Sequence, residues 1–271
     1  MMRSLQHKEA PLTLLLALAG LLIGGLVNRL ADQLPHRRPL HQPGACPSCG
    51  RAYDWGGFFA LAAFPWRRGI CPACASPLPL RPIVVEVAMA SFIPLLWLQN
   101  GWSALLFVRS LYVAIFVLVT VTDLEHRRIL NVVIYPAIGL ALLASLLHIG
   151  HDLRAGLLGG LIGLLFFFLV FLLGEALLAA ARRSGGGPAL GAGDVKLATF
   201  IGIVAGWPGV VPALLLGIVL GGLGALVVLV MQWTQRTYKP LSSALPYGPF
   251  LAMGGLAIVL WGERIVRLWA L

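Results

Sequence analysis

Between Arg154 and Glu175 the chain carries no charged side chain, and that stretch constrains the fold more than any other. An apolar run of about 20 residues is what a helix needs to cross the roughly 30 Å hydrocarbon core of a bilayer. The run is continuous rather than alternating, which is the pattern of a helix and not of a barrel strand. Similar runs recur along the sequence and predict spans near 11–31, 82–99, 103–122, 129–149, 153–181, 189–207, 209–233 and 247–269. Charged residues make up only 11% of the chain and hydrophobic ones 59%, whereas soluble domains carry about 25% charge. Only helices and closed barrels satisfy their backbone groups in lipid. The expected fold is therefore an all-α polytopic membrane protein of about eight transmembrane helices.

The net charge of +10 does not point to nucleic acid, because the basic residues are scattered over connections instead of forming one stripe. They set topology instead. Thirteen Lys and Arg residues fall in one set of alternate connections, among them Arg37, Arg67, Arg127, Arg182 and Lys239. Five (Arg3, Lys8, Arg154, Arg264 and Arg267) fall in the other. The positive-inside rule makes the richer set cytoplasmic, so both termini are expected outside. Arg3 and Lys8 ahead of an apolar run resemble a signal sequence. No small-residue cleavage pattern follows, however, and the segment reads as a retained first span. The organisation expected is a first helix at 1–31, a cytoplasmic loop at 32–81 and a helical bundle at 82–271.

The loop at 32–81 is the only long hydrophilic section, and it contains every cysteine. Cys46-Pro-Ser-Cys49 and Cys71-Pro-Ala-Cys74 are two CxxC pairs with 21 residues between them. Paired thiolates at this spacing suit a closed, tetrahedral structural zinc site, one knuckle per pair. Disulfides are the alternative reading, but a cytoplasmic loop is reducing. His36 and His41 stand just upstream and read as surface residues, since four cysteines already fill such a site. A bound metal can fold a segment that has no core of its own.

Acids at membrane depth are costly and are functional candidates by default. Asp123 closes the apolar run that ends Val119-Thr120-Val121-Thr122, while Glu125, Arg127 and Arg128 read as a solvated turn. Asp194 lies in Gly191-Ala192-Gly193-Asp194-Val195-Lys196, at the head of an uncharged segment. Gly191 and Gly193 have no Cβ, so another backbone can approach the carboxylate closely. Leu197 to Trp207 is too short to span by itself. Either the helix starts near 189 with Asp194 inside the bundle, or the segment is broken or re-entrant, which is tolerated where it lines a cavity. Glu86 lies one turn inside the second span, either as a buried partner or as a snorkelling interfacial acid. Arg109, inside the third span, poses the same choice. Glu175 reads as interfacial, and His148 and His151 as exposed.

Two carboxylates on different helices at one membrane face suggest aspartyl protease chemistry. Close like charges cannot both ionise, so one acid keeps its proton. The ionised partner can take a proton from water as the water attacks a peptide carbonyl, while the protonated partner hydrogen-bonds the carbonyl oxygen. The alternative is two unrelated interfacial acids.

At this point the chain resembles the prepilin peptidases, or type IV leader peptidases, of the GxGD class of membrane aspartic proteases. The pieces that carry the resemblance occur in the family's order. They are Gly24-Gly25-Leu26-Val27-Asn28, the two CxxC pairs, Arg81-Pro82 with Glu86, Asp123, Asn131, Gly191 to Leu197, and Tyr247-Gly248-Pro249-Phe250 followed by Gly254-Gly255. The resemblance implies cleavage of short basic leaders from pilin-like and pseudopilin precursors at the cytoplasmic face of a bacterial inner membrane. It implies Asp123 and Asp194 as the catalytic pair, with Gly191, Gly193 and Lys196 supporting them. It also implies N-methylation of the new N-terminus with S-adenosylmethionine, in which Glu86 would take part. The chain departs from the family's usual pattern at Gly25-Leu26, Gln33 and Leu130 and lacks its Ile-Pro segment between the cysteine pairs, changes that leave both acids of the pair intact and bear instead on methyl transfer and leader preference. Two other classes compete. One is a proton-coupled transporter relaying through Asp123, Asp194, Glu175 and Glu86, although no internal inverted repeat is apparent. The other is a zinc-stabilised assembly factor without catalysis.

Overall fold

The computed structural model describes residues 2–39, 46, 48–51, 61, 69–180, 191–234 and 246–269. Eight helices of 14 residues or more run through them: α1 (Met2–Gln33), α2 (Arg81–Asn100), α3 (Ala104–His126), α4 (Asn131–Leu146), α5 (Leu153–Ala180), α6 (Ala192–Ala205), α7 (Val210–Thr234) and α8 (Gly248–Trp269). Each expected span is present as a helix, and no strand occurs among the described residues. Six of the helices are long and apolar enough to cross a membrane. The other two, α4 with 16 residues and α6 with 14, are shorter. The chain is a multi-pass membrane protein. It divides into two compact units, Met1–Leu118 and Val119–Leu271, with the boundary inside α3.

In the first unit α1 and α2 pack antiparallel along a seam that repeats every fourth residue. A Cβ on Gly20 would collide with the Met89 carbonyl, and one on Gly24 would lie 2.7 Å from the Glu86 Cα. One turn further on, Asn28 Nδ2 donates to the Pro82 carbonyl at 2.9 Å. At the end of the seam, Arg81 pairs with Asp32 at 2.6 Å. Residues four apart stack on one helix face, so small residues at 20 and 24 let the backbones meet, as is common where lipid offers no hydrophobic drive. Polar groups then take over towards the helix end. Pro82 sits in the first turn of α2, where its missing N–H costs nothing. Arg109 of α3 donates from Nη1 to Asn100 Oδ1 at 2.8 Å, so the cation inside the third span is internally paired.

In the second unit α6 is the helix that the others surround. Phe200, Ile201, Leu197 and Ala198 are all at or near full burial, and α4, α5, α7 and α8 each pack on it. A helix buried on every side has no need of a polar face, which is why its sequence is uncharged after Lys196. The closest approach is to α5. Gly159 and Gly202 face each other with each one's missing Cβ aimed at the other's carbonyl, and Gly163 fits the Ala198 carbonyl in the same way. The glycines at 159, 160 and 163 thus serve the close packing of α5 on α6. A Gly202→Val change must force this contact apart and is expected to cost about 1–3 kcal/mol. A lowered Tm in detergent, measured beside wild type, checks it.

The sixth helix begins at Ala192 with Gly191 as its N-cap, not near 189, and residues 181–190 lie outside those described. His151, expected as an ordinary exposed side chain, instead brings Nε2 to 3.2 Å from the Val204 carbonyl at the far end of α6.

Candidate active site and metal centre

Asp123 occupies the last turn of α3, which ends where Arg127 adopts a φ of 53° and donates its N–H to the Asp123 carbonyl at 2.9 Å. The turn divides sharply: Thr122 and Asp123 are buried, whereas Leu124, Glu125, Arg127 and Arg128 are exposed. The Asp123 side chain, 6% exposed, accepts the Gly248 N–H on Oδ2 at 3.0 Å. That donor comes from the first residue of α8.

Asp194 is the third residue of α6 and is 7% exposed. Its Oδ2 accepts the Gly191 N–H at 3.1 Å while its own N–H donates to the Gly191 carbonyl at 2.9 Å. This is the carboxylate half of a capping box, which satisfies a backbone donor that the helix start leaves unpaired. The flanking glycines make room for side chains and not for another backbone. A Cβ at 191 would stand 3.1 Å from Asp194 Oδ2, and one at 193 would stand 3.0 Å from the Ile129 side chain just beyond α3. The two carboxyls are near enough for the charge of Asp123 to act on Asp194. Tyr247 completes this corner. Its ring lies 6.3 Å from that of Phe167, and it too feels the charge of Asp194.

Lys196, expected beside the acids, reaches across to α4. Its Nζ donates to Asn131 Oδ1 at 2.7 Å and stands 5.1 Å from the centre of the Tyr135 ring. A cation over an aromatic face is favourable by about 0.5–1 kcal/mol at an exposed site. Glu175 is half-exposed on α5. Sequence reasoning did not find the Gly248 donor. The sequence marked Gly248 only as part of the Tyr247-Gly248-Pro249-Phe250 motif that carries the resemblance, and such a motif does not show which carboxyl its backbone N–H meets.

Glu86, in the first unit, is 1% exposed and accepts the Leu61 N–H on Oε2 at 2.8 Å, so it is buried rather than snorkelling. Near it on the same seam, Asn28 is 6% exposed, and its Oδ1 has no partner. Its amide cannot be turned round, because the carbonyl it faces only accepts.

The four cysteines are unpaired thiols whose Sγ atoms all lie within 4.8 Å of one another, so they could hold a metal ion. The two knuckles are built alike. Cys46 and Cys71 each accept at their carbonyl from the residue four further on, Gly50 and Ala75, at 2.9 Å. Both of those residues have positive φ, 70° and 57°. Cys46 and Cys71 each donate their own N–H to the residue five further on, Arg51 and Ser76. The hydroxyl of Ser76 lies 3.0 Å from Cys74 Sγ and 3.6 Å from Cys46 Sγ. Hydrogen bonds from that hydroxyl and from the backbone around Cys49 and Ser48 pull the Cys46 thiol down to about 5, towards the thiolate that a metal requires.

The type IV leader peptidase family matches residues 110–226, and the bacterial Peptidase A24 N-terminal domain matches residues 18–100. The chain is similar to a protein of Bacillus subtilis (strain 168), at 26% identity over 257 residues covering 94% of this chain and 96% of that one. It is also similar to one of Aeromonas hydrophila, at 28% identity covering 82% of this chain and 72% of the relative. A third, of Pseudomonas aeruginosa, is 26% identical and covers 82% of this chain and 73% of the relative. All three are named prepilin leader peptidase/N-methyltransferase. No solved structure matches. The two family matches follow one another over most of the sequence, one holding the cysteines and Glu86 and the other holding both aspartates, and the chain belongs to the type IV leader peptidase family of enzymes.

Proposed function

We propose that this enzyme removes the short basic leader of pilin-like and pseudopilin precursors, and that Asp123 and Asp194 carry out the hydrolysis. The observation that carries the reading is the pair itself: two buried carboxyls from different helices, within each other's electrostatic reach, in a chain of this family. One acid of such a pair is protonated while the other is not. The ionised acid takes a proton from water as the water oxygen attacks the scissile carbonyl carbon. The protonated acid hydrogen-bonds the carbonyl oxygen as it becomes a gem-diolate, and the nitrogen then takes up a proton and leaves as an amine. The protons belong to the pair, so no single role is fixed to either residue. Gly191 and Gly193 keep room for the Asp194 turn, and Lys196 ties that turn to α4. The charge distribution supports a bacterial inner-membrane location with this site at the cytoplasmic face and both termini outside. The relatives described above are peptidases by name, which weighs against the proton-coupled transporter reading. The test is to incubate the purified protein in detergent with a pilin-like precursor. Release of the leader ahead of the precursor's hydrophobic segment is expected, and an unprocessed precursor rejects the reading.

The four thiols fit zinc. A tetrahedral ion with metal–sulfur bonds of about 2.3 Å requires sulfurs about 3.8 Å apart. Cys46–Cys74 and Cys49–Cys71 stand at 3.8 and 3.9 Å. The site is closed, with no position left for a substrate, so its role is structural.

The second activity, N-methylation of the freed N-terminus, belongs to the first unit in this reading. S-adenosylmethionine supplies an activated methyl on a cationic sulfonium and also carries an ammonium group. Acceptors fit such a molecule, and the Glu86 carboxylate and the Asn28 amide oxygen are buried acceptors on one seam. Glu86→Gln is expected to weaken methyl-donor binding at least about tenfold, since an acid facing a cation is worth roughly 1.4 kcal/mol or more there. Leader removal should be unaffected. Calorimetry with the donor and a cleavage assay check the two halves separately.

A further inference from the structure

We propose that Gly248 is a positioning residue for the peptidase: its backbone N–H fixes the Asp123 carboxyl, and its missing side chain is what allows that bond to form. The inference rests on the proposed role of Asp123 and extends it to a segment that acts only through its main chain. α8 begins at Gly248, and the first N–H groups of a helix have no partner within the helix. The next residue, Pro249, has no N–H at all. Phe250 and Leu251 already donate to the Tyr247 carbonyl at 3.1 and 3.3 Å. Gly248 is therefore the donor that the helix start leaves over, and it is spent on Asp123 Oδ2 at 3.0 Å in a buried setting.

The space confirms that a glycine is needed. A Cβ at 248 would lie 2.6 Å from Asp123 Oδ2 and 2.9 Å from its Cγ, closer than two unbonded atoms can stay. Any side chain at 248 must push the carboxyl or the helix start away. Asp194 is held in the same manner by the Gly191 N–H. Each acid thus gives one oxygen, Oδ2, to a backbone donor. The oxygen without a proton is the better acceptor of an N–H, so these bonds favour Oδ1 of each acid for the shared proton and the attacking water. Tyr247 anchors the segment from the other side. Its ring fills the space beside Gly221 of α7, where a Cβ would come within 2.5 Å of Cε2.

The experiment compares Gly248→Ala, Gly221→Ala and Gly262→Ala in the full-length enzyme. In Gly248→Ala, kcat for leader removal is expected to fall about 100-fold, the scale of a 1 Å misplacement at a reacting group, with KM changed less than about threefold. Gly221→Ala, which pushes on Tyr247 and touches neither acid, is expected to lower kcat about tenfold with KM again held. Gly262→Ala, whose new methyl meets only the Ile258 side chain at 3.5 Å, should behave as wild type. Thermal melts give the independent readout. The Tm loss caused by Gly248→Ala should shrink in an Asp123→Ala background, because the colliding carboxyl is gone. A folded Gly248→Ala enzyme with wild-type kcat overturns the proposal, as does an equal Tm loss in both backgrounds. If Gly248→Ala fails to fold, Gly221→Ala decides: a kcat loss at constant KM supports the proposal, and unchanged kcat overturns it. If wild type cleaves no precursor, the peptidase reading fails, and the melts still report whether Gly248 and Asp123 are coupled.

Discussion

Asp194→Asn is expected to leave the helices folded and to slow leader removal by at least about 10³-fold, and Asp123→Asn should do the same. The amide keeps the shape of the side chain, and its oxygen can still accept the Gly191 or Gly248 N–H. It cannot take a proton from water or donate one as the intermediate collapses. Losing the acid–base member of a working pair costs on the order of 10²–10⁴, and removing part of a unit approaches the cost of removing the whole. For the same reason the double variant should be scarcely slower than either single one. The measurement is initial rate on a pilin-like precursor, followed by the mobility shift on loss of the leader, with circular dichroism as the control for folding. Either variant retaining a rate within tenfold of wild type removes that residue from the mechanism. Asn131→Ala makes a useful contrast: it breaks the Lys196 contact while leaving both acids in place.

The second large effect concerns the metal centre. Wild-type protein is expected to hold one zinc per chain, and Cys71→Ser to hold less than about a tenth of that. A structural zinc site contributes apparent binding energies of roughly 10–16 kcal/mol in small peptides. One thiolate replaced by a hydroxyl therefore gives up the site in practice. Because the knuckles lie in the first unit and both aspartates in the second, methyl transfer should collapse while precursor cleavage falls by no more than a few-fold. Metal content by elemental analysis and the two activity assays on one preparation test this. Wild-type protein free of metal would reject the zinc reading, and equal loss of both activities would reject the division of labour between the units.

Much of this was legible in the sequence because the bilayer leaves few options. Uninterrupted apolar runs have only one fold available, so the helices follow from hydropathy with boundaries blurred by a few residues. Two CxxC pairs announce a four-thiol cluster because the ligand chemistry demands that spacing. Asp123 and Asp194 stand out because an acid next to an apolar run is expensive and needs a reason. What stayed hidden depends on which backbone atoms meet across helices. The Gly248 donor, the Gly159–Gly202 contact and the unpartnered oxygen of Asn28 come from pairings over long separations, for which a single sequence carries no periodicity. Lys196, which the resemblance implied as a support for the acids, lies two residues from Asp194 on the helix, where positions point different ways, and its side chain turns to Asn131 and Tyr135.

The length of α4 has a consequence for the lipid around it. Sixteen residues rise about 24 Å, several ångströms less than the hydrocarbon thickness, and Val132, Tyr135, Leu143 and Leu146 along it are exposed. Acyl chains beside so short a wall must compress or tilt, which draws the headgroup layer inward along this flank.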